Sequence, residues 1–178
     1  MLFKELFLLL FTGSPINRKS SFDLSDKTIS DHINSLCSQN ESFKKMFTTH
    51  QPFTGFIHGY YGREFTLRPK SSVFKKNSIG DYVFALGRIE PVHDYKSIVQ
   101  VSYHRTRKIR VSFYAISTFF LLLLVYCAVN LEIDDTFVYL VLALIGLYVF
   151  FLLLLFVGIY KQVTYIKKHL INGLDRIN

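Results

Sequence analysis

Two long runs without a charged residue constrain this chain more than anything else in it. Val111 to Leu131 gives 21 such residues and Phe137 to Tyr160 gives 24. A helix needs about 20 residues to cross the hydrocarbon core of a bilayer, so each run is long enough to span. Backbone groups in lipid must be satisfied within their own segment, which makes both runs helices. Only Glu132-Ile133-Asp134-Asp135-Thr136 joins them, so the two helices are antiparallel neighbours. The competing reading, two core helices of a soluble protein, fails because the runs would be nearly half of any plausible core.

The charges lie outside the runs. Residues 1–110 carry a net +8, Val111 to Tyr160 a net −3, and Lys161 to Asn178 a net +3. Arg105, Arg107, Lys108 and Arg110 precede the first run, and Lys161, Lys167 and Lys168 follow the second. The loop between the runs has no base. Basic flanks stay on the cytoplasmic side. This predicts a multi-pass membrane protein with both termini cytoplasmic and the loop facing the periplasm or exterior. Lys4 and the seven flanking bases are then expected against the anionic inner leaflet, at about 1 kcal/mol per base near the surface. Within the runs nothing ionisable sits at depth, where transporters and proton relays usually place acids, bases or histidine. Gly146 and Gly158 form no G-x-x-x-G pair. An anchor or interaction surface is therefore expected in preference to transport.

The N-terminal MLFKELFLLLFTGSP has six consecutive apolar residues, Leu6 to Phe11, too few to span. Glu5 interrupts its basic start and no small-x-small site follows, so it does not read as a signal peptide. The expectation is an amphipathic helix on the inner leaflet or packed on the domain, with Lys4 near lipid phosphates. Gly13-Ser14-Pro15 ends it, and Ile16 to Ser21 reads as a linker. Residues 1–19 are thus assigned to an amphipathic segment and linker, and 20–110 to a cytoplasmic α+β module.

In that module Ser25 can cap a helix with Asp26 in its first turn. Ile29, Ile33, Leu36 and Cys37 then form one apolar stripe. Gln39 to Gln51 reads as a loop or short helix. After Pro52 the pattern changes to strands. FTGFIHGYYG is punctuated by glycine, with Gly62 turning the chain and Gly55 suiting close strand contact. REFTLRP places Phe65 and Leu67 on one face, and DYVFALGRIE sets Val83, Ala85 and Ile89 opposite Tyr82, Phe84 and Leu86. SIVQVSYHR points Val99, Val101 and Tyr103 inward. Glu90-Pro91 is expected to open a loop. The fold class is α+β: a small antiparallel meander of four strands, five if Phe22 joins, with one covering helix. A transmembrane hairpin and a C-terminal amphipathic tail, 161–178, follow. In the tail Val163, Ile166, Leu170 and Leu174 make a stripe, predicting a helical extension that runs under the sheet and docks on it, with Gly173 weakening its end.

The order Pro52-Phe53-Thr54-Gly55-Phe56-Ile57-His58-Gly59, Phe65-Thr66-Leu67-Arg68, Asn77-Ser78 and Gly87-Arg88-Ile89, followed by a helical hairpin, resembles a group of small bacterial membrane proteins. Those have a β-rich cytoplasmic module and two membrane helices. Where the group reads Tyr-Arg-Asn-Ser-Phe-Leu-Pro, this chain reads Lys75-Lys76-Asn77-Ser78-Ile79-Gly80-Asp81. The resemblance implies this architecture and a location in the bacterial inner membrane, and it supplies no activity.

Candidate chemistry is sparse. His58, His93 and His104 have no metal-ligand spacing, and no nucleophile motif or acid pair occurs. No metal, cofactor or catalytic residue is expected. Cys37 and Cys127 have no C-x-x-C partner. Arg68, Arg88, Lys75 and Lys76 could hold an anionic, nucleotide-like ligand, with Tyr61 stacking on a base. The first expectation is a non-enzymatic membrane module that binds a protein partner, or a second copy, or senses a state of the membrane, in regulation, immunity or defence. The alternative is a membrane-anchored sensor that changes oligomeric state on binding that ligand. A nucleic-acid partner is not expected.

Overall fold

A computed structural model describes residues 2–38, 52–69, 82–130 and 135–177. It is an α+β fold. Helix α1 (Leu2–Phe11) leads into strand β1 (Ile16–Phe22), then helix α2 (Asp26–Leu36) and a two-residue strand β2 (Cys37–Ser38). Strands β3 (Phe53–His58), β4 (Glu64–Pro69), β5 (Val83–His93) and β6 (Lys96–Arg105) follow. Two long helices, α3 (Arg107–Asn130) and α4 (Asp135–Leu174), complete the order. The sheet runs β1-β6-β5-β4-β3-β2, antiparallel except for the short β2–β3 pair.

The four-strand meander expected from alternation is β3 to β6, with Val99, Val101 and Tyr103 inward as read and Phe65 and Leu67 sharing one face; of the two faces of β5, that of Val83, Ala85 and Ile89 is the inward one. Phe65, Leu67, Val83, Ala85, Ile89, Val99, Val101 and Tyr103 are all buried. Two features differ. Ile16 to Ser21 is not a linker but most of β1, paired along its length with β6. Its inward positions are Ile16, Arg18, Ser20 and Phe22, so polar residues interrupt the apolar alternation. Arg18 is tolerated there because it makes a two-pronged ion pair with Glu5 of α1. That pairing holds the Glu5 carboxyl below its usual range and the Arg18 guanidinium above its own. The second difference lies at Glu90-Pro91, where β5 continues to His93 and the chain reverses through Asp94 and Tyr95. Pro91 borders a register shift, the kind of irregularity at which a strand tolerates a proline.

One face of the sheet is covered by three helices, not one. Leu6, Leu9 and Leu10 of α1, Ile29 and Ile33 of α2, and Ile159, Val163, Ile166, Leu170 and Leu174 of α4 join the sheet in a single core. Ser25 caps α2 by accepting the Thr28 N–H at 3.2 Å. Cys37 follows α2 into the core, and burial pushes its thiol up to about 11. Helix α4 is continuous for 40 residues, about 60 Å at 1.5 Å per residue. Its first half projects away from the sheet, and its last third docks on it as the stripe predicted. Gly173 lies next to the end of the helix at Leu174. It makes room for His32 of α2, whose Nε2 would lie 2.7 Å from a Cβ at that position.

His32 gives the fold a pH dependence. Its Nε2 is buried without a hydrogen-bond partner among the described residues. Burial holds its pKa below the ordinary 6.5, opposed in part by the nearby His169 backbone. The half-buried His104 shifts the same way. Both are favoured neutral in the folded state, so the unfolded chain takes up protons first on acidification. Stability is full above about pH 6.5 and falls as pH drops below it. Thermal unfolding in detergent at about pH 7.5 and 5.5 should show a lower midpoint in acid, and His32→Asn should shrink the difference. An unchanged difference in that variant would remove His32 from the account.

Candidate functional site

The outer face of the sheet carries no helix among the described residues. Strand register builds a row across it: Thr54 of β3 beside Arg68 of β4, then Phe84 of β5 beside His104 of β6. The Arg68 guanidinium sits over the Phe84 ring at 5.5 Å, and the His104 ring stacks on Phe84 at 5.4 Å. This ladder is at the end of the sheet where β6 runs into α3.

There the sheet and the first turns of α3 enclose a cleft of about 720 Å³ lined by Arg68, Val83, Phe84, Thr106, Arg107, Lys108, Val111 and Ser112. Three cations, two hydroxyls, Phe84 and two valines line it, and no carboxylate is among these lining residues. The Thr106 hydroxyl also accepts the Ile109 N–H at 3.5 Å. Arg107 and Lys108 occupy the first turn of α3, which contains no acidic residue. A cation there opposes the helix dipole, which favours negative charge at that end. The arrangement can hold an anion by charge-assisted bonds, and a planar or aliphatic portion of the same molecule on Phe84 and Val111.

The residues expected to act together part company. Arg68 is in the cleft. Arg88 is at the far end of the outer face, beside a shallow groove with His58, Glu64 and Gln100. Tyr61 is further off, in the 3-10 turn Tyr60–Gly62, exposed and at φ +68°, with the Arg63 guanidinium 5.3 Å from its ring centroid. Arg63 also bonds Asp26 at 3.0 Å. Lys75 and Lys76 lie outside the described residues. His58 is bound to Thr66 at 3.2 Å and is 3.5 Å from Glu64, while His93 is exposed near the β5–β6 reversal.

The flanking bases also divide. Arg107 and Lys108 line the cleft. Lys4, Arg110, Lys161, Lys167 and Lys168 are exposed. Arg105 is not a free surface cation: its guanidinium donates to the Leu10 carbonyl at the end of α1 and lies over the Tyr114 ring at 5.8 Å. It satisfies a carbonyl that a helix C-terminus leaves open. Sequence reasoning missed Phe84 and Thr106 as parts of a site, and it missed Gln162, whose side chain enters the back of β5. Phe84 was legible only as an outward strand residue, and Gln162 lay beside an apolar stripe with nothing to mark its target. Both long helices are long and apolar enough to cross a membrane, and no residue of the most apolar 18-residue stretch of α4 is buried. The chain matches no protein-family model, no curated protein and no solved structure.

Proposed function

We propose that this chain is a non-enzymatic, multi-pass membrane protein that recognises a phosphate-bearing anion in the cleft at the root of α3. The observation that carries this reading is the coincidence of the cleft with the start of an apolar, unburied helix pair. An apolar 18-residue stretch of α4 with none of its residues buried by the protein needs lipid around it. Arg107, Lys108, Arg110 and Lys161 then fall at headgroup level, on the cytoplasmic side by the charge rule. The cleft opens at that level, where a phosphate is at hand from a lipid headgroup or a soluble nucleotide. The sheet domain is the reading element, and the hairpin passes its state to a protein partner or a second copy in the inner membrane.

Three cations on one anion make each worth measuring. A hydrogen bond to a charged group contributes about 1.5–3 kcal/mol, so Arg68→Ala should weaken binding at least about tenfold. The probes are ATP, inorganic phosphate, and nanodiscs with and without phosphatidylglycerol, alongside native mass spectrometry of gently extracted protein. A retained lipid mass lost in Arg68→Ala assigns a headgroup, and saturable ATP binding lost in the same variant assigns a nucleotide. Equal small losses of vesicle binding from Arg68→Ala and from Lys161→Ala, outside the cleft, would leave only diffuse attraction to the leaflet and sink the proposal.

A further inference from the structure

We infer that α1 is a third membrane-contacting element, its outer face lying in the boundary between headgroups and acyl chains on the cytoplasmic leaflet. The inference rests on the membrane reading above. Helix α1 is apolar on two sides. Leu6, Leu9 and Leu10 are in the core, while Phe7 is 47% exposed and Leu8 38% exposed. One side of a ten-residue helix would suffice to cover the sheet, so the second apolar side has no task within the fold.

Its position supplies the occupant. Phe7 stacks on Phe11 with centroids 4.2 Å apart, and Phe11 meets Phe113 of α3 edge-on at 5.2 Å. Exposed Val111 and Tyr114 flank Phe113, so the outer side of α1 continues directly into the apolar skin of the hairpin. Depth is set independently. The core that α1 enters extends to Leu152, Leu155 and Phe156 of α4, all inside the chargeless run. A helix packed against that level is at the membrane boundary, not out in the aqueous domain. Two ties fix it there: Arg105 on the Leu10 carbonyl and Arg18 on Glu5. Exposed Lys4 on the same helix suits lipid phosphate. Amphipathic helices of this sort bury their apolar side about 5–10 Å below the surface.

The protein contains no tryptophan, so single substitutions give clean reporters. Phe7→Trp tests the inference. Leu121→Trp reports the middle of the first run, and Tyr95→Trp, in the exposed β5–β6 reversal, is the aqueous control. Each is reconstituted into vesicles carrying a quencher either near the headgroups or near the bilayer centre. Leu121→Trp should be quenched most by the deep label. Phe7→Trp should be quenched severalfold more by the shallow label than Tyr95→Trp is. Should Phe7→Trp fold poorly, Leu8→Trp serves the same purpose. A quenched Leu121→Trp with an unquenched Phe7→Trp overturns the inference and leaves the membrane reading standing. An unquenched Leu121→Trp overturns both. A Phe7→Trp shielded from both labels, with emission that shifts on dilution in the membrane, would assign the face to a second copy and also overturn it.

Discussion

Gly55→Ala is expected to collapse the sheet domain, whereas Gly146→Ala leaves it intact or firmer. Gly55 sits on β3 opposite Leu67 of β4. A Cβ there would lie 2.0 Å from the Thr66 carbonyl oxygen and 3.3 Å from the Leu67 Cα. These are backbone atoms in a hydrogen-bonded ladder, so no rotamer change relieves the contact. Overpacking costs about 1–3 kcal/mol where side chains can yield. Here β3 must leave β4, so we expect the loss to reach or exceed the upper end of that range. Domains hold only about 5–15 kcal/mol in total. Moving β3 would also pull Phe53 away from Tyr165 of α4, which it meets edge-on at 5.7 Å. Gly146 has nothing within 4 Å of a Cβ, and replacing glycine in a helix gains up to about 1 kcal/mol. Urea unfolding in detergent, followed by circular dichroism, separates the two. A wild-type midpoint for Gly55→Ala would mean that β3 and β4 pair in another register.

The difference between what the residues foretold and what they did not has a physical cause in each case. Strands β4, β5 and β6 were legible because a sheet buried on one face writes a period of two into its sequence. The docked part of α4 was legible for the matching reason, an apolar stripe at helical spacing. Strand β1 was not, because Arg18 on its inward face is compensated by Glu5, a residue on another element. An ion pair across a tertiary contact leaves no periodic mark. The covering role of α1 was hidden similarly: six consecutive apolar residues define no face, so both candidate uses remained open.

The site was legible as ingredients and not as an assembly. Arg68, Arg107 and Lys108 were all singled out, but Arg68 as a ligand group and the other two as membrane contacts. What joins them is the register of β4 against β5 and a connection of one residue, Thr106, between β6 and α3. Arg105 shows how little charge alone decides. It stands two positions before Arg107 in the same basic run, yet its side chain turns inward to a helix carbonyl while Arg107 faces the cleft.

Gln162→Leu should detach the sheet from the helix that carries it. Gln162 is 2% exposed, and its Oε1 accepts two backbone N–H groups, from Tyr82 at 2.9 Å and Val83 at 2.8 Å. One turn earlier, Gly158 admits the Tyr82 ring, which a Cβ would approach to 2.8 Å. Leucine keeps the volume of glutamine nearly unchanged but accepts nothing, leaving two buried donors unsatisfied. At about 1–3 kcal/mol per stranded donor, the loss is about 2–6 kcal/mol. Hydrogen exchange at the Tyr82 and Val83 amides reads it directly, and even 2 kcal/mol is a fall in protection of about 30-fold. Gln162→Glu should be milder, because a carboxylate still accepts both bonds and charge assistance offsets part of its burial. Undiminished protection in the leucine variant would mean that another acceptor holds this strand. The contact also bears on the proposed function, since Val83 lines the anion cleft on one side and is bound to α4 on the other. If occupancy of the cleft is relayed to α4, these two hydrogen bonds are a direct route. Gln162→Leu should then retain ligand binding within a few-fold while ligand no longer alters exchange along α4. A ligand effect on α4 that survives the substitution would route the relay through α3 instead.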